Sequence, residues 1–146
     1  MTDKPAAAST SAFTRTPVNP VSWATEYYNQ GEVISGATKT LRIAGQVSVV
    51  PDPGSEWGVK PSKAGDMRDQ MAGALAALDD VLKAAGMRRE NLAHMQFFVT
   101  DMQAGLGAVD ILMDWLGPCR PPQSFIGVSE LFMDGLVIEI EGSAVA

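Results

Sequence analysis

The chain is poor in the side chains that most often carry chemistry. It has one cysteine, Cys119, and one histidine, His94, among 146 residues. A single cysteine excludes an intrachain disulfide and fits a reducing compartment. With no His/Cys cluster at zinc-ligand spacing, no metal site is expected, and a Ser–His catalytic pair would depend on His94 alone. On a strand-like stretch, that histidine reads as structural. Lys and Arg number 11 against 17 Asp and Glu, giving a formal charge of −6 without a basic cluster. This balance argues against a nucleic-acid binder, because phosphate contact needs clustered cations. Apolar runs long enough to span a bilayer are absent too. The first residues carry Asp3 and Lys4 and then an Ala/Ser/Thr stretch without a secretory h-region, so the expectation is a cytoplasmic protein without membrane partners.

What is present is a folding composition: 46% apolar and 19% charged residues, enough to bury one core without a metal or disulfide scaffold. Residues 1–22, rich in Ala, Ser, Thr and Pro, read as a flexible tail, and residues 23–146 as one domain. A strand pair is expected over 25–34 and 40–50, turning near Ser35–Ala37. In the second strand Leu41, Ile43, Gly45, Val47 and Val49 alternate with polar or small residues. Glycine weakens a strand interior, so Gly45 implies a bulge, tight packing or the close approach of another group. A loop follows over 51–61, with Trp57 near its tip, read as folded back on the domain.

Met67, Met71, Ala74, Leu75, Leu78, Val81, Leu82 and Ala85 recur at three- and four-residue steps, which predicts a core helix capped by Ser62 and stopped at Gly86. Residues 91–100 read as a strand. Asp101 then caps a second helix carrying Leu106, Val109, Leu112, Met113 and Leu116, ended by Gly117 and Pro118. The chain closes with two strand-like runs, 123–128 and 136–145, separated by Met133-Asp134-Gly135. Asp-Gly is a hairpin signal, so these two are expected to pair antiparallel. Alternation puts Glu139 and Glu141 on one strand face, roughly 7 Å apart, opposite Leu136, Ile138 and Ile140. Two glutamates so placed are either an outer solvated face or an acid/base pair in a cleft. The element order gives an α+β fold, two helices packed on one face of a mixed sheet, whose other face asks for cover by a partner subunit.

Tyr28-Asn29-Gln30-Gly31, Ile43-Ala44-Gly45-Gln46-Val47, Val81-Leu82-Lys83-Ala84-Ala85-Gly86, Phe98-Val99-Thr100-Asp101-Met102, Gly127-Val128 with Leu131, and Ile138-Glu139-Ile140-Glu141 occur in an order and spacing that resemble the Rid family, also called YjgF, of reactive enamine and imine deaminases. The resemblance implies a chorismate-mutase-like fold, a homotrimer with small-molecule sites in clefts between subunits, and a catalytic glutamate at Glu139. It implies a hydrolysis that needs neither cofactor nor metal. It also marks Tyr28, Gly45, Ser124 and Phe125 as lining the cleft. Family deaminases carry an arginine after a Pro-Ala pair, where it binds the substrate carboxylate. Here Pro121-Pro122-Gln123-Ser124 places Gln123 at that position, with Arg120 three residues upstream as a conceivable substitute. The family serine before the Gly-Gln pair is Ala44, and a family cysteine is Phe125. The expectation is an enamine/imine deaminase or related hydrolase on a substrate without the usual α-carboxylate. The alternatives are a non-catalytic metabolite-binding trimer and, against the charge balance, a ribonuclease.

Overall fold

The computed structural model of the chain describes residues 13–146. In chain order the elements are β1 (Thr14–Val18), β2 (Gly31–Ser35), β3 (Thr40–Gln46), β4 (Val49–Pro51), β5 (Val59–Pro61), α1 (Met67–Ala84), β6 (Leu92–Val99), α2 (Met102–Gly107), α3 (Val109–Leu116), β7 (Gln123–Gly127) and β8 (Ile138–Val145). The main sheet has four strands in the order β3-β8-β6-β7, flanked by the two-stranded ribbons β1-β2 and β4-β5. It is a mixed sheet, because β6 runs parallel to β7 and antiparallel to β8.

One sheet face and the helices make the core. Met71, Ala74, Leu78 and Leu82 of α1 are fully buried, as are Met95, Phe97 and Val99 of β6 and Ile138 and Ile140 of β8. The helical period of three and four and the strand period of two thus meet in one apolar layer. Gly73, in mid-helix, admits Ser48. A Cβ built there would fall 2.6 Å from the Ser48 Cβ and nearer still to its Oγ. Gln70, also fully buried, donates from Nε2 to the carbonyls of Lys63 (2.9 Å) and Gly135 (2.7 Å). Its Oε1 accepts from the Val137 amide at 2.9 Å. One side chain therefore staples the turn before β8 to α1.

The structure corrects several sequence expectations. The run over 123–128 and that over 136–145 do not form a hairpin: β6 lies between β7 and β8, paired to both. Gly135 does make a turn, with φ of 89°, but it leads into β8 on the far side of β6. Nor do β2 and β3 pair with each other; β2 pairs with β1 and β3 with β8. The cap of α1 is Asp66, which accepts from the Asp69 amide. Ser62 is instead bonded to Ser48 and to the Asp69 carboxylate. Gly65, with φ of 73°, keeps the helix from starting earlier. Asp101 caps as expected, accepting from the Ala104 amide, but the second helix is broken at Ala108 into α2 and α3. Of the tail expected over 1–22, residues 1–12 lie outside the described residues. Thr14–Val18 is a strand held by Arg15, which pairs with Glu32 at 3.0 Å and also donates to the carbonyls of Glu90 and Leu92. Trp57 stands 61% exposed, with the Phe132 ring edge-on to it at 5.8 Å. Among the described residues no helix is long and apolar enough to cross a membrane.

Candidate active site: two half-sites on opposite faces of the sheet

Side chains of paired residues on adjacent strands point to the same face. Gln123 pairs with Met95 and Phe125 with Phe97, so both lie on the helix-covered face. Phe125 stacks on Phe97 with centroids 4.6 Å apart and planes 7° from parallel. Between them, α2, α3 and the 24–28 turn is a cavity of about 360 Å³ lined by Ala24, Tyr27, Tyr28, Leu106, Val109, Leu112, Gln123 and Phe125. The turn is pinned in place by backbone bonds from Tyr27 and Tyr28 to the Ala24 carbonyl and from Asn29 to the Arg120 carbonyl.

The edge of β7 adds polar groups. The Met95 amide donates to the Pro122 carbonyl and the Val128 amide to the Val99 carbonyl. A parallel ladder in this phase turns residues 124 and 126 toward β6 and leaves the N–H and C=O of Gln123 and Phe125 pointing out from the free edge.

Glu139 lies elsewhere. It pairs with Phe98, and its flanking residues Ile138 and Ile140 are buried in the core, so its carboxyl projects from the face without helices. Burial first, and the Glu141 charge second, hold its pKa above the ordinary glutamate value. Gly45 forms the other wall. The register of β3 on β8 shifts between Ile43 and Gln46, and a Cβ on Gly45 would fall 2.5 Å from the Glu139 carboxyl carbon. The glycine expected to mark a bulge or a close approach marks both, and the approaching group is the glutamate. Gly45→Ala should therefore displace the Glu139 side chain and remove most of the turnover proposed for that carboxyl below. Its stability loss should stay within about 1–2 kcal/mol, because a flexible side chain can move aside. Paired rate and thermal-unfolding measurements on the variant check this, and an unchanged rate would refute it.

The site residues expected from sequence therefore fall into separate places. Tyr28, Gln123 and Phe125 line one cavity, and Gly45 and Glu139 make a second group. Ser124 pairs with Gln96 on the helix-free face and is exposed. Gln123 and Glu139 stand two strands and three residues apart, roughly 14 Å between Cα atoms, with side chains on opposite faces. Arg120 does not line the cavity. Its guanidinium donates to the carbonyls of Glu26 (2.8 Å), Gly117 (2.7 Å) and Cys119 (2.8 Å), so it clamps the Tyr27–Tyr28 turn to the segment before β7. Beside it, Cys119 has its thiol pKa pushed up, chiefly by burial, which keeps it protonated at neutral pH, as expected of an inert thiol. His94 sits on the helix-free face with Arg42, Gln96, Glu141 and Ser143 around a depression of about 220 Å³. Sequence reasoning missed Tyr27, Leu106, Val109 and Leu112 as cavity lining, because helical periodicity assigns the last three to the core.

The comparison with known proteins follows this geometry. A family model described as endoribonuclease L-PSP matches residues 21–146. The chain belongs to this family, also called YjgF or Rid. Among solved structures, a Rid-family protein of unknown function from Yersinia pestis, YyfB, is 25% identical. It matches over 90% of this chain and 98% of its own, with a TM-score of 0.76. A YjgF/YER057c/UK114-family member from Mycobacterium tuberculosis, Rv2704, is 23% identical over 91% of this chain and all of its own, with a TM-score of 0.60. A protein described as a putative endoribonuclease from Thermotoga maritima is 24% identical over 89% and 91%, with a TM-score of 0.63. The last two establish likeness of fold. No curated protein matches the sequence significantly.

Proposed function

We propose that this Rid protein is an enamine/imine deaminase or related hydrolase, acting as a homotrimer on a small reactive metabolite that lacks the usual α-carboxylate. One observation carries the reading. Glu139, its proton affinity raised by burial, is packed against Gly45, while Gln123 and the open β7 edge lie on the opposite face, too far away to hold the same small molecule. β3 and β7 are the two edges of the sheet. A neighbouring copy that brought its β7 edge beside β3 would join the halves into one cleft and cover the helix-free face.

In such a cleft an enamine tautomerises to its imine. The imine nitrogen takes a proton from solvent, and Glu139 removes a proton from a water molecule as its oxygen attacks the C=N carbon, giving a carbinolamine. Glu139 then returns its proton to the nitrogen, and as the C–N bond breaks the hydroxyl proton passes to solvent, leaving a carbonyl product and ammonia. A carboxyl with raised pKa suits both roles near neutral pH. Free carbonyls of the β7 edge can hold the water. Gln123 supplies neutral hydrogen bonds where a guanidinium would give charge-assisted ones, which disfavours a carboxylate.

The test is release of ammonia and carbonyl product from enamines generated in situ, for wild type, Gln123→Arg and Glu139→Ala against the uncatalysed rate. The expected result is wild-type activity that disappears with Glu139→Ala. Activity only in Gln123→Arg would show an intact scaffold redirected to another ligand. Silence in all three would favour a metabolite-binding trimer, a second reading supported by the neutral, apolar character of the Gln123 cavity. The family description suggests RNA cleavage, but the −6 charge opposes phosphate binding.

A further inference from the structure

One wall of the cavity beside β7 is a loop with few ties to the rest of the domain. Residues 19–30 connect β1 to β2, and one side chain closes their base: Asn19 donates from Nδ2 to Asn29 Oδ1 at 3.0 Å and accepts from the Gln30 amide at 2.8 Å. The Asn29 amide, bonded to the Arg120 carbonyl, anchors that base. Above it the loop is bonded to itself. The Tyr27 and Tyr28 amides donate to the Ala24 carbonyl, Thr25 Oγ1 to the Ser22 carbonyl and Gln30 Nε2 to the Trp23 carbonyl. A compact segment of this length with its ends together is an Ω-loop, a class of loop that is often functional. Ala24, Tyr27 and Tyr28 are its contribution to the cavity wall.

Two hydrogen bonds hold the rest of the loop to the domain. Arg120 donates from Nε to the Glu26 carbonyl at 2.8 Å, a charge-assisted bond. Gln123 donates from Nε2 to the Tyr27 carbonyl at 3.4 Å, a long contact that leaves its Oε1 buried without a partner. Such an orphaned acceptor is costly until water or another donor reaches it. Ala24 adds a second cost. Its φ of 62° makes it the one non-glycine residue at positive φ among the described residues, and strain of this kind persists only where the surroundings impose it, typically at clamps and switches. Both costs belong to the shut loop and are relieved when it lifts. We propose that residues 19–30 are a lid, hinged at the Asn19 base and latched by Arg120, which opens to admit a ligand to the cavity while the domain stays folded. The Gln123 amide oxygen, out of reach while the lid is shut, becomes available only as it moves.

Hydrogen exchange and benzene binding, both followed by NMR on the full-length protein, test the lid. In wild type the Tyr27 and Tyr28 amides should exchange at rates independent of low denaturant, while the Phe97 amide of the central strand exchanges faster as denaturant is added, as global unfolding requires. Arg120→Leu should speed Tyr27 and Tyr28 exchange about 10-fold or more, and Ala24→Gly, which suits the left-handed turn, should slow it about 3-fold. Benzene is a probe that apolar cavities admit. It should shift the methyl signals of Leu106, Val109 and Leu112, and its entry rate should change in each variant by the same factor as the amide exchange, because both scale with the open fraction. Entry indifferent to both substitutions, exclusion of benzene from wild type and both variants, or Tyr27 exchange as steep in denaturant as that of Phe97 overturns the proposal. Should Arg120→Leu fail to fold, Ala24→Gly and the wild-type denaturant series still decide. None of these readouts uses turnover, so the lid stands or falls apart from the deaminase.

Discussion

Glu139→Gln is expected to lower imine turnover by roughly 10²–10⁴-fold, the usual worth of a positioned general acid/base, while making the fold more stable at pH 7. The two effects have one cause. Burial, aided by Glu141, raises the Glu139 pKa above its ordinary 4.5, so ionising the group costs the folded state more than the unfolded chain. For a group whose pKa rises on folding, the stability it contributes is full below the unfolded value and is lost as pH climbs through the folded value. Glutamine, of nearly the same shape and never charged, escapes that loss. The variant should melt above wild type at neutral pH, and the gap should close as pH falls below about 4.5. Initial rates and thermal unfolding at pH 4 and pH 7 measure both. A variant with wild-type turnover would remove Glu139 from the mechanism. A gap that persisted unchanged at pH 4 would show that burial of charge is not its origin.

Gln70→Leu should cost about 3 kcal/mol and lower the melting temperature by roughly 10 °C. Leucine fills the space but leaves the Val137 amide without its 2.9 Å acceptor and the carbonyls of Lys63 and Gly135 without their donor. Each orphaned group costs about 1–3 kcal/mol when buried, less where the backbone relaxes or another bond remains. The Gly65 amide still donates to the Gly135 carbonyl at 2.9 Å, which holds the sum at the low end of the roughly 3–9 kcal/mol that three such groups would cost. Because Val137 lies two residues before Glu139, the loosened entry to β8 should also reduce turnover at temperatures where the variant is folded. Chemical denaturation supplies the stability figure, and a loss below 1 kcal/mol would mean that the staple is dispensable.

Gln70 was not legible in the sequence, since a glutamine within a helix ordinarily faces water. The cap at Asp66 was missed because Ser62 and Asp66 are both good caps by type, and the decision falls to Gly65 and to the Ser48–Ser62–Asp69 bonds. By contrast, Glu139 and Glu141 fall together on the face opposite Ile138 and Ile140, as strand alternation alone requires. The Asp101 cap and the α1 stripe were legible for the same reason: they depend on residues within one turn or strand of each other.

The sequence by itself determined the periods: which residues of each strand and helix are apolar, where β8 carries its acids, and that the metal-ligand residue types are scarce. Only the tertiary structure decided that β6 separates β7 from β8, and with it that Gln123 and Glu139 face opposite ways. Alternation fixes the face of a side chain within its own strand but is blind to which strand lies alongside. Pairing is chosen by the burial of the whole layer, where β6, with Met95, Phe97 and Val99 fully buried, bonds along both edges at the centre of the core.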